Sequence, residues 1–239
     1  MPKKKPIIEP ETPKMAEMLR RVDFFSELDT ATLSKFEKIG TILSFQDEET
    51  ISLAGDPRRY IFFIAKGMAK VFYDEKNARN NILSLLGVGD FFGEIQLLND
   101  TGRSAISLKS DGECTIITFK GKDFLKEIIN DPKLSIVFLR QTTQKLSKAY
   151  MQIASLSMST IKGRIMSCLM QFIEEKGIQV QRNSQTAILL RNRPTQQQIA
   201  DMSGTSRETV NRELSSYIKD GYIEMEGTDM YLLKELPIG

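Results

Sequence analysis

Residues 198–214, QIADMSGTSRETVNREL, constrain this chain most, because they read as a helix, a glycine-centred turn and a second helix. Ile199, Met202, Val210 and Leu214 recur at helical spacing and predict the apolar contacts between the two helices. Ala200 lets the helices approach closely, and Gly204 permits the positive φ that the turn needs. Ser206 is placed to cap the second helix, and Arg207, Glu208 and Arg212 project from its exposed N-terminal half. The layout matches a helix-turn-helix that presents side chains to base edges in a DNA major groove. An ordinary helical hairpin with a charged solvent face is the alternative reading.

Composition narrows the function. With 239 residues there is room for two domains and a connecting helix. A net charge of +2 gives no global basic field, so attraction to phosphate must come from local clusters. Histidine is absent, which removes Ser-His-Asp and Cys-His catalysis, histidine-ligated zinc and histidine-bound haem. Cys114 and Cys168 are too few and too far apart for a disulfide framework, a thiolate metal site or an N-terminal iron-sulfur cluster. Neither an enzyme nor a metal protein is expected, and a reducing cytoplasm suits two free thiols. The opening MPKKKPIIEPETPK is charged and proline-rich, and no later stretch is apolar enough to span a bilayer.

The hydrophobic period changes along the chain. Residues 1–14 read as a disordered arm, and 15–132 as a β-roll domain with flanking helices. Within the latter, short β-rich pieces (TILSF, TISLA, YIFFIAKG, MAKVFY, NILSLLG, AISLKS, CTIITF) are divided by Gly, Asp, Asn and Pro, as in a small antiparallel barrel or sandwich. Residues 133–160 read as a long helix with a hinge at Ser157 to Thr160. Leu139, Thr142, Leu146, Ala149, Ile153 and Leu156 form one seam spaced alternately three and four apart, which suits a self-paired coiled coil and also a helix packed on its own domain. Residues 161–239 read as a winged helix-turn-helix: a helix to Lys176, a polar turn at QRNSQT, the reading pair from Pro194, and a terminal hairpin YIEMEGTDMYLL. The fold class is therefore α+β.

One segment of the roll draws an anion site. Gly93, Glu94, Ile95 and Gln96 open a short helical turn, and Arg103 and Ser104 follow in NDTGRSA. Arg103 supplies a fork for phosphate, Ser104 a hydroxyl, and Glu94 an acceptor for sugar hydroxyls. An internal Glu94–Arg103 ion pair accounts for the same residues.

FFGEIQLLNDTGRSA is similar to the phosphate-binding cassette of the cyclic-AMP receptor protein and fumarate-nitrate regulator (CRP/FNR) family. SRETVNRE is similar to that family's recognition helix, and the two motifs stand in the family's order on either side of the long helix. The resemblance implies a jelly-roll-like β-roll that binds a cyclic nucleotide, a central dimerisation helix and a C-terminal DNA domain. It implies Gly93 and Glu94 at the ribose, and Arg103 with Ser104 at the cyclic phosphate. Gln96 stands where relatives carry glycine or alanine. Lys145, Ala149 and Tyr150 stand where cyclic-AMP binders carry an arginine and a Thr-Ser pair. Tyr150 could stack on a purine, fill the pocket or pack in the dimer seam.

The expected protein is a homodimeric, sequence-specific transcription regulator controlled by cyclic AMP. The alternatives are another cyclic mono- or dinucleotide, or constitutive activity with no nucleotide. Arg207 and Arg212 suit guanine and Glu208 suits cytosine, while Thr195, Ser206 and Thr209 suit phosphates. The resemblance implies TGTGA-like half-sites in an inverted palindrome of double-stranded DNA, with RNA polymerase as a partner and no membrane involvement.

Overall fold

The computed structural model describes residues 12–26, 28–57, 59–73, 81–99, 104–157, 160–183 and 185–236. The chain divides into two compact units, residues 1–145 and 146–239.

The first unit opens with α1 (Thr12–Arg20), α2 (Asp23–Ser26) and α3 (Thr30–Ile39), the last capped by the Asp29 carboxylate, which accepts from Thr32 N at 2.7 Å. α1 begins at Thr12, inside the stretch read as a disordered arm; the rest of that arm, 1–11, lies outside the described residues. The β-roll follows as β1 (Gly40–Phe45), β2 (Thr50–Ser52), β3 (Tyr60–Tyr73), β4 (Asn81–Leu86), β5 (Phe91–Phe92) and, after the short helix α4 (Glu94–Leu98), β6 (Ile106–Lys120). All pairings are antiparallel, in the order β1-β6-β3-β4, with β2 added to β6 and β5 to β3.

Two pairs of pieces read separately from sequence are single strands. YIFFIAKG and MAKVFY form β3, and AISLKS and CTIITF form β6; the two pair from Tyr60↔Lys120 to Tyr73↔Ile106. The glycine and polar residues that seemed to end strands sit instead at register shifts, between Ile64 and Lys66 and between Lys66 and Met68. Bulges there bend the long ribbon without breaking it.

Period-two alternation on β3 explains why its run is apolar on both faces. Ile61, Phe63 and Ala65 enter one core with Phe24, Phe25, Phe36, Phe91, Phe119 and Phe124, while Phe62, Ile64 and Val71 enter a second with Phe45, Phe92 and Leu108. The first is an aromatic cluster under the helices: Phe24 and Phe25 meet edge-on at 4.8 Å between ring centroids, and Phe63 lies 4.8 Å from Phe25.

After α5 (Gly121–Asn130), the long helix α6 (Pro132–Leu156) starts where Pro132 suits a first helical position. Leu134 and Phe138 anchor its first turns in the aromatic core; the Phe138 ring lies 5.5 Å from Phe91 and 5.6 Å from Phe124. The opposite stripe is bare. Leu139 is 61% exposed and Ile153 63%, and Ile136, Leu146 and Leu156 are exposed too.

The second unit contains α7 (Ile161–Lys176), the hairpin β7 (Ile178–Arg182) and β8 (Gln185–Leu190), the helix pair α8 (Gln196–Ser203) and α9 (Arg207–Lys219), and the wing β9 (Ile223–Glu226) and β10 (Asp229–Leu232). Its sheet runs β7-β8-β10-β9. The polar stretch QRNSQT read as a turn is the tip of the β7–β8 hairpin, whose short, half-exposed strands carry little alternation to read. Thr160 caps α7 by accepting from Gly163 N at 3.0 Å; Met158 and Ser159 of the expected hinge lie outside the described residues.

Candidate functional sites: effector cassette and nucleic-acid interface

Gly93 begins the cassette in a conformation only glycine tolerates. Its φ is 108°, and a Cβ there would lie 2.2 Å from the Tyr60 carbonyl oxygen. The backbone therefore packs directly on β3 before turning into α4. Glu94, at the first position of α4, meets a cation from a distant element: Lys145 Nζ on α6 donates to Glu94 Oε1 at 2.6 Å and to the Phe91 carbonyl at 2.8 Å. The same ammonium lies 4.5 Å from the Phe91 ring centroid. The two side chains are 12% and 27% exposed for Glu94 and Lys145, so both are largely withdrawn from water.

Three polar atoms of α4 remain unpaired. Glu94 Oε2 and both Gln96 side-chain atoms are buried without a hydrogen-bond partner among the described residues, and Gln96 is only 1% exposed. Such atoms cost free energy unless something pairs with them. Glu94 Oε2 is a buried acceptor that one hydroxyl donor would satisfy. Ile95 faces solvent, whereas Ser104 is buried, and its hydroxyl is engaged locally: it donates to Ile106 O at 3.2 Å and accepts from Ile106 N at 3.1 Å. Arg103, expected at the phosphate, lies outside the described residues. Tyr150 and Ala149 are exposed on the part of α6 that belongs to the second unit.

In the second unit the helix pair forms as the sequence predicts. Ile199, Ala200, Met202, Val210 and Leu214 are buried between the helices, and Gly204 takes φ 60° at the turn. Thr195 and Gln198 make a reciprocal capping box: Gln198 N donates to Thr195 Oγ1 at 3.2 Å and Thr195 N donates to Gln198 Oε1 at 2.8 Å. Ser206 Oγ accepts from Thr209 N at 3.2 Å and pairs with the Thr209 hydroxyl at 3.1 Å. The hydroxyls expected at phosphates thus also fix the helix ends that would meet DNA.

Arg207, Glu208 and Arg212 are exposed on α9. Asn211 is exposed and accepts from Gln196 Nε2 at 3.0 Å, linking α9 to α8. A notch of about 530 Å³ opens among Arg193, Thr195, Gln196, Arg207, Gly227 and Thr228. Sequence reasoning missed Arg193. Its place is set by Arg193 N donating to Thr228 O at 3.0 Å and Asn192 N donating to Asp229 Oδ1 at 3.0 Å, which join the β8–α8 turn to the wing. Two arginines and two helix N-termini around one notch suit a polyanion.

The thiols have no comparable role. Burial pushes Cys114 and Cys168 up to about 11, so both stay protonated and unreactive near neutrality. No helix among the described residues is long and apolar enough to cross a membrane.

A β-roll with a glycine-led cassette, a long helix and a winged helix-turn-helix define the class of sensor-coupled DNA-binding transcription regulators. Residues 42–131 match the cyclic nucleotide-binding domain, and residues 163–236 match the Crp-like helix-turn-helix domain. The chain is 27% identical over 219 residues to the CRP-like cAMP-activated global transcriptional regulator of Mycobacterium tuberculosis, covering 91% of this chain and 95% of that protein. In fold it resembles a CooA mutant from Carboxydothermus hydrogenoformans, with TM-score 0.72, 20% identity and coverage of 91% and 95%. It also resembles the c-di-GMP-responsive global regulator CLP of Xanthomonas campestris, with TM-score 0.67, 19% identity and coverage of 87% and 100%. The chain belongs to the CRP/FNR family of transcription regulators.

Proposed function

We propose that this protein is a homodimeric regulator whose affinity for palindromic DNA is set by cyclic AMP bound at the α4 cassette. The observation that carries the reading is the Lys145–Glu94 contact, because it ties the cassette directly to the helix that bears the bare apolar stripe. A ligand hydroxyl donating to Glu94 Oε2 would perturb the carboxylate that holds Lys145, and with it the packing of α6. Gly93, Ile95, Gln96, Arg103 and Ser104 complete the ligand site in this reading.

A stripe of Leu139, Leu146, Ile153 and Leu156 is too apolar to stay in water and is spaced for two-fold pairing, so a second copy covers it. The paired recognition helices then read inverted TGTGA-like half-sites, with Arg207, Arg212 and Glu208 on bases and Thr195, Ser206 and Thr209 on the backbone. RNA polymerase is the downstream partner of such a regulator, in the cytoplasm.

A second reading, DNA binding with no nucleotide, is favoured by one fact: Lys145 already satisfies Glu94 Oε1 and Phe91 O unaided. Calorimetric titration with cyclic AMP, cyclic GMP and cyclic di-GMP, paired with mobility shifts of ligand-free protein, separates the two. Heat with cyclic AMP and ligand-dependent shifts support the first. Heat only with another of the three reassigns the effector, and silence with all three plus a shift by ligand-free protein selects the second. Light scattering tests the dimer: Ile153→Glu should halve the mass, and a wild-type monomer would overturn the pairing.

A further inference from the structure

The wing is acidic where a DNA reader would be expected to be basic. Glu224 and Glu226 lie on β9, and Glu226 directly precedes Gly227, which lines the notch with Arg193 and Arg207. Glu226 stands one residue from the notch lining and Glu224 three, and carboxylates beside a phosphate-binding surface repel the DNA backbone over a screening length of about 8 Å at physiological salt.

Arg182, at the end of β7, answers both. Its Nη2 and Nε donate to Glu224 Oε1 and Oε2 at 3.0 and 3.2 Å, a bidentate fork, while Nη1 lies 2.9 Å from Glu226 Oε2. The face of the guanidinium lies 4.1 Å from the Tyr231 ring centroid on β10. One side chain from the β7–β8 hairpin thus grips both strands of the wing. Only arginine offers that planar fork together with a stacking face. The pairing also holds the Glu224 carboxyl below its ordinary range, so the grip persists across the neutral pH range.

We propose that Arg182 is a positioning residue for DNA binding: it masks the charges of Glu224 and Glu226 and clamps Tyr231, so that the Gly227–Thr228 turn can approach the phosphate backbone. Arg182 need not touch DNA. The inference rests on the DNA-binding reading, and the experiment separates the two.

Fluorescence anisotropy of the full chain, alone and with saturating cyclic AMP, cyclic GMP or cyclic di-GMP, would be measured with a labelled duplex carrying inverted TGTGA half-sites and with a scrambled duplex of equal length, between about 50 and about 200 mM salt. Arg182→Ala should weaken binding to both duplexes about tenfold, most strongly at the low-salt end where the unmasked carboxylates are least screened. Adding Glu224→Gln and Glu226→Gln to that variant should bring binding back to within about threefold of wild type, since no carboxylate is left to repel. A purely architectural staple would not be rescued in this way. The Glu224→Gln/Glu226→Gln variant that keeps Arg182 should bind about threefold more tightly than wild type, and this holds even if Arg182→Ala folds poorly. Unchanged affinity in Arg182→Ala, a triple variant as weak as the single one, or no tightening in the double variant overturns the inference alone. Failure of the wild type to bind either duplex, with or without any of the three nucleotides, overturns the DNA-binding reading and takes this inference with it.

Discussion

Lys145 Nζ lies 2.6 Å from Glu94 Oε1 and 2.8 Å from the Phe91 carbonyl oxygen, which joins the middle of α6 to the cassette through one ammonium group. Removing the cation leaves a withdrawn carboxylate without its counter-charge, whereas removing both charges leaves no such penalty. Lys145→Met should therefore lower stability by about 2 kcal/mol in urea titrations, and adding Glu94→Gln should restore most of the loss. A double variant no more stable than the single one would show that the ion pair is not what holds α6 here.

Gly93→Ala tests the backbone that sets the cassette. The φ of 108° and the approach of Tyr60 O to 2.2 Å from any Cβ leave no room for a methyl group without shifting β3 or α4. We expect a loss on the order of 3 kcal/mol, seen as a lower denaturation midpoint, together with loss of effector binding. Wild-type stability in this variant would mean that the turn relaxes freely.

Arg207→Ala should cost about 1–3 kcal/mol on a matched site and relax the preference at one base pair per half-site. Competition binding over single-base variants of the duplex reads this directly. Equal weakening on every sequence would move Arg207 from the bases to the backbone, where its position on the notch beside Arg193 also points.

Glu48 gives the roll an acid-sensitive link. It takes φ 61° at the β1–β2 turn, where its carboxylate pairs with Lys70 and lies 3.3 Å from Lys109 Nζ. Hydrogen bonding to Lys70, then to Lys109, holds its carboxyl below its ordinary value of 4.5. A depressed folded-state value means the stabilisation is complete above about 4.5 and fades as pH falls through the lower folded-state value. Because the side chain is 53% exposed, solvent screening limits the effect to about 0.5 kcal/mol. Glu48→Gln should lower the Tm slightly at pH 7 and by less at pH 3, as protonation removes the charge that the variant lacks. A difference of equal size at both pH values would exclude the ion pairs as its source.

Local patterning carried much of this protein. The helix-turn-helix was legible because Ile199, Met202, Val210 and Leu214 follow the helical period, and because Gly204 and Ser206 supply a turn and a cap within a few residues of one another. Pro132 and the apolar seam fixed α6 for the same reason. Strand continuity was not legible: Gly67 and Gly112 look like terminators, yet β3 and β6 run through them, since a bulged ribbon is stabilised by pairing between residues some fifty apart rather than by its own sequence.

The charges divide along the same line. That Glu94, Lys145, Arg207 and Arg212 are candidate site residues could be read from their motifs and from resemblance, because residue type and spacing survive in the primary sequence. That Lys145 holds Glu94 across 51 residues, and that Arg182 grips Glu224 across 42, could not, because ion pairing depends on distances that exist only once the strands and helices have packed. Sequence determined which elements form and which faces are apolar, since those follow from short-range periodicity and backbone preference. Tertiary structure alone decided which charge meets which, since a Coulomb contact of 3 Å is a property of folded coordinates and leaves no periodic trace along the chain.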